Sequence, residues 1–497
     1  MNQESIISAG DQRAVRLEKL ARLRAEGIDP YPAHFRPTHD TASALAALET
    51  AEREGTTAEA TLGGRIVSVR VMGKSTFAHI ADGAGRLQIY LRVDEIGEPG
   101  YERFVRDFDL GDFVGVSGEM FRTRTGEPTL RVRSYQMLAK ALRPLPDKWH
   151  GVKDVEVRYR QRYLDLLVNP DARRVFVMRT RIVTAIRQLL DERGFLEVET
   201  PVLQPIYGGA AARPFTTFHN ALNETLYLRI SDELYLKRLI IGGLDRVYEI
   251  GRDFRNEGLS FKHNPEFTQL EIYQAYADYD DMMRLAEEIW SQVALRVLGQ
   301  PFVERNGARI DLTPPWRRIT MRDAILGGAG VDLEAAPDLG SLQAAVAARG
   351  LDVPPQPTWG KLVDALFGQF VEPNLIDPTF IIDYPVELSP LAKRKPGTPH
   401  LVERFEFFIG GLELGNAFSE LNDPLDQRSR FEEQARASAA GDEEAHPVDE
   451  PFLLAMEFGM PPTGGIGWGI DRMTMLLAGQ DTLRDVILFP QLRSKEE

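Results

Sequence analysis

Two strand-like segments joined by a polar loop, between Arg252 and Tyr279, constrain this chain more than any other feature. Residues two apart on a strand share a face, so Asp253, Arg255 and Glu257 are predicted to project together on the first arm. The same alternation gathers four side chains on one face of the second arm: Phe267, Gln269, Glu271 and Tyr273. The segment therefore predicts a hairpin that brings together a cation, an aromatic ring and several carboxylates.

These side chains suit the binding of a nucleoside triphosphate beside a small charged molecule. The Arg255 guanidinium offers a planar fork of donors for phosphate or carboxylate oxygens. Phe267 offers a flat surface on which a base stacks. The spacing also fits a charged edge hairpin with solvated side chains, because such alternation is common on exposed strands. The hairpin is a candidate active site with that alternative open.

A glycine-rich segment near the C-terminus, from Pro461 to Leu476, is the second candidate for ligand binding. It runs into an apolar helical pattern that has Asp471 and Arg472 at its start, and its glycines are Gly464, Gly465, Gly467 and Gly469. Glycine lets the backbone approach a ligand closely. The spacing matches neither the dinucleotide fingerprint nor the phosphate-binding loop, and an ordinary glycine turn before a helix is the alternative.

Composition narrows the class of protein. A length of 497 residues predicts at least two domains, and 43% hydrophobic residues without a run of eighteen apolar ones predict a soluble protein with no membrane partner. The N-terminus has no apolar signal core, so we expect a cytoplasmic location. With no cysteine, disulfides, thiolate metal sites and cysteine nucleophiles are excluded. The net charge of -15 argues against indiscriminate polyanion binding, so no DNA partner is expected, while a specific RNA partner needs only a local basic surface.

The chain divides into a helical arm, a small β-domain and a large mixed domain. Residues 1–58 form the arm, which holds a basic amphipathic helix from about Asp11 to Glu26, closed by Gly27. The apolar face of this helix is predicted to consist of Val15, Leu17, Leu20 and Leu23. Five short strand patterns in 59–141 predict an OB-fold β-barrel. A Pro-rich and charged linker, 142–157, leads to the large domain, 158–497.

The large domain lacks the βαβ alternation of a parallel sheet. It mixes extended segments with helical stretches from Arg173 to Arg193 and from Asp280 to Leu298. An antiparallel sheet flanked by helices follows, and the whole chain is predicted to be α+β. An Ala/Pro/Gly-rich segment at about 327–357 is predicted to be a surface insertion without chemistry.

Three segments resemble, in the right order, the three motifs of the class II aminoacyl-tRNA synthetases. They are GFLEVETPVL (Gly194 to Leu203) for motif 1, FRNEG with HNPEF (Phe254 to Phe267) for motif 2, and GIGWGIDR (Gly465 to Arg472) for motif 3. Further segments resemble the lysine-specific members of subclass IIb, and the resemblance covers nearly the whole chain: PLPDKWHG (144–151), RYRQRYLDL (158–166), GGAAARPF (208–215), ELYLKRL (233–239) and FSELNDP (418–424).

The resemblance implies ATP-dependent ligation of L-lysine to the 3′ end of tRNA(Lys) through a lysyl-adenylate. It implies a homodimer formed through motif 1, whose interface would be isologous. Arg255 and Arg472 would be the catalytic arginines, and ATP would contact Arg255, Glu257, His263, Phe267 and Arg472. Lysine would contact Gly209, Glu233, Arg255, Glu271, Tyr273 and Asn422, with Glu271 and Tyr273 on the side-chain ammonium.

Magnesium accompanies triphosphates and prefers carboxylate oxygens. The resemblance implies Mg²⁺, bound with ATP, at Glu413 and Glu420. These residues are seven apart, so a regular strand would place them on opposite faces. A break at Gly415–Asn416 or a helical turn is required for them to share a metal.

In the barrel, four residues lie on or beside the strands that OB folds use for single-stranded bases: Arg70, Phe77, Gln88 and Glu127. The resemblance implies that Phe77 stacks an anticodon uridine while Arg70, Gln88 and Glu127 read base edges. A core phenylalanine with solvated polar neighbours is the alternative.

The sequence departs from the family pattern at three positions. Lys262 replaces a common Arg, Asp253 replaces a common Asn, and Trp468 stands among the motif 3 glycines where it would crowd the adenine side. Two other functions stay open. One is an aspartate- or asparagine-type synthetase, which should present a cation where Glu271 stands; the other is a non-charging paralogue that binds RNA or transfers lysine elsewhere.

Overall fold

The computed structural model describes residues 3–146, 154–305, 307–439 and 447–494. The chain forms two compact units, residues 1–151 and 152–497. Residues 147–153 of the predicted linker, 142–157, lie outside the described residues. No helix in the described ranges combines the length and apolar character needed to cross a membrane.

The first unit is a closed barrel of five strands in the order β1-β2-β3-β5-β4, as the strand patterns predicted. Its elements are α1 (Gln3–Ala25), α2 (Thr41–Glu54), β1 (Ala58–Met72), β2 (Ser75–Ala81), β3 (Arg86–Arg92), α3 (Val93–Ile96), α4 (Glu98–Asp107), β4 (Phe113–Arg122) and β5 (Pro128–Ala139). Alternate residues of each strand point inward and fill a core that includes Leu62, Ile80 and Val132. The alternation of apolar and polar residues along these short strands favours a barrel, because it places the apolar side chains on the inner face of each strand.

The predicted arm helix exists, but its buried face differs from the predicted one. Leu20 and Leu23 are buried, whereas Val15 is half-exposed and the adjacent Arg16 is buried in its place. The Arg16 guanidinium donates to the carbonyls of Leu110, Ala141 and Arg143 at 2.9 to 3.0 Å. A charged side chain with three carbonyl partners can be buried, so the arm helix is held against one end of the barrel.

The second unit is built on one mixed sheet. Its elements are α5 (Val155–Arg160), α6 (Arg162–Val168), α7 (Pro170–Asp191), β6 (Leu196–Glu197), β7 (Leu203–Gln204), β8 (Thr216–His219), β9 (Glu224–Leu228), α8 (Glu233–Ile241), β10 (Arg246–Phe254), β11 (Glu266–Ala275), α9 (Tyr279–Leu298), β12 (Phe302–Arg305), β13 (Ala308–Asp311), β14 (Arg317–Thr320), α10 (Met321–Ala329), α11 (Leu339–Ala348), α12 (Trp359–Phe370), β15 (Thr379–Pro385), β16 (Arg394–Lys395), β17 (Thr398–Ile409), β18 (Leu412–Ser419), α13 (Pro424–Ala439), α14 (Glu450–Glu457), β19 (Thr463–Gly469), α15 (Ile470–Leu477) and α16 (Leu483–Val486).

The main sheet has the order β14-β15-β17-β18-β19-β11-β10-β6. Its central pairs are antiparallel, as predicted, and its outermost pairs, β14 with β15 and β10 with β6, are parallel. Helices α7, α9 and α15 pack on one face, where Ile186, Trp290 and Met473 are buried. On the opposite face, α8 packs against β10 and β11, and the rest of the central strands borders the site.

The segment predicted as a surface insertion is partly internal. It contains α11, and Val331, Leu342 and Val346 are buried in a second hydrophobic cluster. The Ala/Pro/Gly-rich composition predicted a surface insertion, but these apolar residues pack with Ile325 of α10 and Leu366 of α12.

Candidate active site

A cavity of about 430 Å³ opens on the face of the central strands opposite α7, α9 and α15. Cross-strand register explains which side chains reach it. Asp253 pairs with Phe267 and Gly251 with Gln269, so alternate residues of the hairpin share one face, as the alternation predicted. Strand β10 ends at Phe254, and therefore Arg255 and Glu257 line the cavity from the loop beyond it.

Strand β19 borders the same cavity with two glycines. Gly467 pairs with Glu271, and Gly465 pairs with Tyr273. A methyl group on Gly465 would overlap Glu420 Oε1 and would lie 2.5 Å from a ring carbon of Tyr273. Glycine is required there by this close approach. Trp468 points to the other face and packs in the core against Trp290, at 6.4 Å between ring centroids, so its side chain does not crowd the cavity.

Two arginines and an aromatic ring occupy one end of the cavity. The Arg255 guanidinium lies over the Phe267 ring at 5.1 Å from its centroid. Arg472 Nη1 donates to the carbonyl of Glu413 at 2.7 Å and lies 3.2 Å from its carboxylate. These guanidiniums and this ring are the groups that a triphosphate and a base need.

His263 lies beside the second arginine, with its Nε2 3.5 Å from Arg472 Nη2. Partial burial, and then the Arg472 charge, lower the pKa of His263 below its ordinary value. The imidazole is therefore neutral at physiological pH. Burial alone would raise the pKa of Glu413, but the Arg472 guanidinium lowers it, so Glu413 is a carboxylate.

A β-bulge supplies the break that a shared metal site requires. On β17, Phe407 pairs with Gly415 and Phe408 with Glu413, so Leu414 is an extra residue in β18. The bulge lies one residue before the predicted position. It puts Glu413 on the same face as Asn416 and Phe418, and all three line the cavity.

Glu420 lies outside the cavity lining and is buried against Lys237, with which it forms an ion pair. Lys237 Nζ also donates to Glu233 Oε1 at 2.5 Å. Burial raises the pKa of Glu420 well above its ordinary value despite the nearby ammonium. Glu420 Oε1 has no hydrogen-bond partner among the residues that the structure describes.

The other end of the cavity holds a carboxylate with a full set of donors. Glu271, which is 4% exposed, accepts hydrogen bonds from Ser231 Oγ at 2.9 Å, Gln269 Nε2 at 2.8 Å and Tyr273 Oη at 2.9 Å. Glu233 also lines the cavity, and burial raises its pKa to about 7 while Lys237 opposes the rise. The cavity thus has a cationic end and an acidic end.

The predicted residues Gly209 and Asn422 have different positions. Gly209 lines the cavity with a φ of +88°, and a Cβ there would lie 2.8 Å from Ser231 Oγ, so glycine is needed. Asn422 is not among the described residues that line the cavity. Its amide accepts from Lys393 and donates to the Met460 carbonyl at 3.1 Å.

Sequence reasoning missed several polar residues of the lining: Ser231, Arg404, Glu406 and Asn416. Arg404 donates to Glu406 at 2.6 Å and to Asn416 at 2.9 Å. Arg404 and Glu406 alternate on β17, so the period-2 argument used for the hairpin could have found them. Lys262, at the cavity edge, lies 3.3 Å from Glu372.

On the barrel, Phe77 belongs to an outward-facing aromatic row. Its buried neighbours Thr76 and Ala78 point inward, while the half-buried Phe77 ring stacks on Tyr90 at 4.4 Å between centroids. Tyr90 in turn contacts Phe121 at 6.3 Å. Phe77 is therefore not a core residue, and the exposed Arg70 pairs with it across β1 and β2.

Gln88 and Glu127 belong to a polar chain beside this aromatic row. Gln88 Nε2 donates to Glu127 at 2.9 Å, and the other Glu127 oxygen lies 2.9 Å from His79 Nε2. His79 Nδ1 lies 2.8 Å from Ser68 Oγ. Because partners hold both carboxylate oxygens, Glu127 has a fixed position. His79 was not predicted to belong to this site, although it lies two residues from Phe77 on β2 and therefore shares its face.

Comparisons with known proteins agree with this architecture. Residues 154–493 match the family model described as tRNA synthetases class II (D, K and N), and residues 60–138 match an OB-fold nucleic acid binding domain. A lysine–tRNA ligase of Chloroflexus aurantiacus is 56% identical over 488 residues, which cover 98% of this chain and 99% of the relative. One of Moorella thermoacetica is 56% identical over 98% of this chain and 99% of its own length. One of Pelotomaculum thermopropionicum is 55% identical over 97% of this chain and 95% of its own.

Proposed function

The chain belongs to the class II tRNA synthetases, within them to the lysine–tRNA ligases, and we infer that it joins L-lysine to the 3′ end of tRNA(Lys) at the expense of ATP. The observation that carries this inference is the polarity of the cavity. Two guanidiniums and a stacking ring lie at one end, and the buried, hydrogen-bonded Glu271 lies at the other. ATP and a cationic amino acid are complementary to these two ends.

In the first step, a carboxylate oxygen of lysine attacks the α-phosphorus of ATP, and the bond to the β-phosphate oxygen breaks. Pyrophosphate leaves, and lysyl-adenylate remains. The lysine carboxylate, with a pKa of about 3.5, is already ionised, so this step needs no general base. Arg255 would bridge the carboxylate and the α-phosphate, and Arg472 would hold the γ-phosphate. Phe267 would stack on adenine, with Glu257 and the neutral His263 on the remaining groups of ATP.

In the second step, the terminal ribose hydroxyl of tRNA attacks the lysyl carbonyl. An ester forms, AMP leaves, and the proton of the hydroxyl group passes to solvent. Positioning and charge neutralisation are the main contributions of such a site. The cationic end serves both steps, because negative charge develops on phosphate oxygens in each.

Selection of lysine depends on cancelling its ammonium, since a buried unpaired charge costs several kcal/mol. Glu271 and Tyr273 would hold the side-chain ammonium, and Glu233 with the Gly209 backbone would hold the α-amino group. An aspartate or asparagine substrate would leave Glu271 without a cation. This contrast disfavours the aspartate- and asparagine-type alternatives.

Magnesium would bind with ATP. Glu413 is an ionised carboxylate on the cavity wall, and Glu420 keeps one buried oxygen without a hydrogen-bond partner in the described residues, so this donor set fits a hard cation. The ion would offset the charge of the triphosphate. Asn422, whose amide lies outside the cavity, would need to move to assist Arg255.

The barrel would read the anticodon through Phe77, Arg70, Gln88 and Glu127. The aromatic row and the fixed Glu127 support this assignment, because single-stranded bases stack on exposed rings. A homodimer through motif 1 is supported by apolar residues that the described chain leaves exposed, among them Leu196, Val202 and Leu203. We place the activity in the cytoplasm, with no DNA or membrane partner.

The test is ATP–pyrophosphate exchange with each of the twenty amino acids in turn, followed by charging of tRNA. Efficient exchange with lysine alone, followed by lysyl-tRNA formation, is expected. Equal exchange with aspartate or asparagine would favour an aspartate- or asparagine-type synthetase. Exchange without transfer to tRNA would favour a non-charging paralogue.

A further inference from the structure

Three buried carboxyl groups converge at the acidic end of the cavity. One oxygen each of Asp232, Asp253 and Glu271 lies within 4.8 Å of the others, and these residues are 1%, 1% and 4% exposed. We call them the buried triad. Glu271 lines the cavity and meets the lysine ammonium in the proposed function, but neither step above uses Asp232 or Asp253.

The cations around the buried triad do not balance it. Arg229 Nε lies 3.1 Å from Asp253, but Arg229 Nη1 also contacts the carboxylate of Glu249 at 2.5 Å. The same Nε donates its hydrogen to the Arg252 carbonyl at 2.9 Å. Four carboxyl groups, the triad and Glu249, therefore share one buried guanidinium.

The remaining charged groups near the buried triad are already engaged or lie on the cavity side. Lys237, on α8, is bound between Glu233 and Glu420. The Arg255 guanidinium acts on Asp253 from the cavity and lies over the Phe267 ring. The hydroxyl of Tyr273 is bound to Glu271. None of these described groups supplies a second cation dedicated to Asp232 and Glu271.

Hydrogen bonding is just as unequal within the triad. Glu271 has three donors, whereas Asp232 Oδ1 and both carboxylate oxygens of Asp253 have no hydrogen-bond partner in the described residues. A buried acceptor without a donor is costly. A proton on one carboxyl group would supply a donor to its neighbour.

The pKa values point the same way. Burial, and then the Glu271 charge, raise the pKa of Asp232 well above its ordinary value, and burial raises that of Asp253 to about 6. Burial and then Asp253 raise the pKa of Glu271, while hydrogen bonds from Asp232 and Ser231 oppose the rise. One oxygen of each of the three carboxyl groups lies within 4.8 Å of the others, so three ionised carboxylates would repel one another, and a retained proton relieves that repulsion.

The backbone is adapted to this arrangement. A methyl group on Gly251 would overlap Arg229 Nη2 and would lie 3.1 Å from Glu249 Oε1. Glycine on this strand therefore makes room for the buried guanidinium. The buried carboxyl groups behind Glu271 and the guanidinium among them are thus accommodated by the backbone itself.

We propose that the buried triad shares a proton in the lysine-free protein and releases it when the lysine ammonium docks on Glu271. This inference rests on the proposed function. One carboxyl O–H bond breaks and its proton leaves to solvent, while the incoming ammonium keeps its three protons, so one positive charge replaces another. Asp232 and Asp253 thereby act as specificity residues that do not touch the substrate, because a neutral side chain cannot replace the departing proton's charge.

The sign of the pH dependence follows. Below the pKa of the shared proton, lysine must displace it, so lysine affinity falls about tenfold for each unit of pH decrease when one proton is released. Above that pKa the triad is already ionised, and affinity is independent of this group. Asp253→Asn removes one carboxyl group and the repulsion that favours proton sharing.

The experiment is titration calorimetry of lysine into the full chain at pH 6, in three buffers that differ in ionisation enthalpy. The slope of the observed enthalpy against buffer ionisation enthalpy gives the number of protons released. Asp245→Asn, an exposed position next to the start of β10, is the matched control. A lysine analogue with a hydroxyl group in place of the ε-ammonium isolates the side-chain charge. Asp232→Asn is the second test variant, in case Asp253→Asn does not fold.

We expect the natural chain and Asp245→Asn to release more than half a proton per lysine, and Asp253→Asn or Asp232→Asn to release less than half of that amount. The hydroxyl analogue should release none. Lysine binding without proton release, or equal release in all variants, would overturn the proton-sharing triad and leave the proposed function standing. A lack of any lysine binding by the natural chain, with aspartate or asparagine bound instead, would overturn both.

Discussion

Replacing Glu271 by glutamine tests the acidic end of the cavity most directly. The substitution keeps the size of the side chain, and its amide oxygen can still accept from either Ser231 or Tyr273, which donate to different oxygens of Glu271 at 2.9 Å each. What is lost is the negative charge opposite the ammonium. Removing one partner of a buried ion pair costs about 3–5 kcal/mol.

At about 1.4 kcal/mol for each factor of ten, this cost corresponds to a fall of roughly 10²- to 4 × 10³-fold in kcat/KM for lysine. The assay is lysine-dependent ATP–pyrophosphate exchange with ATP saturating, and then with ATP varied. The loss should appear chiefly in KM for lysine, while KM for ATP should stay within about threefold, because the arginines are untouched.

Glu266→Gln is the matched control. It makes the same chemical change on the same strand, at an exposed side chain that lies 3.5 Å from Arg252. It should leave exchange unchanged. A loss of less than fivefold in Glu271→Gln, or an equal rise of KM for ATP and lysine, would refute the ion-pair reasoning.

Three further outcomes are expected. Phe77→Ala should lower kcat/KM for tRNA charging by about 5- to 150-fold, since stacking contributes ~1–3 kcal/mol per base, with lysine-dependent exchange unchanged; an equal fall in both activities would assign Phe77 a structural role. Gly465→Ala should abolish exchange because its methyl group would overlap Glu420, whereas Gly83→Ala, with nothing within 4 Å of the new carbon, should be silent in the same assay. Light scattering at micromolar concentration should give twice the mass of one chain, and a monomeric mass would contradict a motif 1 dimer.

Short-range patterns were sufficient to predict the barrel and the hairpin. Alternation along β2 and β11 depends on neighbouring residues alone, so the faces of Phe77 and Glu271 could be predicted without knowledge of the fold. The glycines of β19 could be located for the same reason. Their pairing with Glu271 and Tyr273 could not, because it depends on the order of strands in the sheet.

Long-range partners were beyond the reach of the sequence. Glu420 is paired with Lys237, and Arg229 with Glu249 and Asp253; no local pattern connects these positions. The bulge at Leu414 inserts one residue into a strand that otherwise alternates regularly. From the sequence alone it could therefore be said only that Glu413 and Glu420 share a face if the strand is interrupted between them. Arg16 is a charged residue that is buried where Val15 was expected. Helix periodicity could not predict this, because the periodicity does not reveal which backbone carbonyls lie at the adjacent end of the barrel.

The glycines of β19 also bear on how such a cavity could come to accept a shorter amino acid. Space beside Glu271 exists in part because Gly467 has no side chain, and a Cβ there would lie 3.4 Å from Glu271 Cγ and 3.1 Å from Gln269 Nε2. These distances are tight but not overlapping, whereas Gly465 admits no added atom. A single methyl group at 467 would reduce the length available to a substrate without any change of backbone. Evolution can thus adjust the length of the accepted substrate by substitution at Gly467, but not by substitution at Gly465.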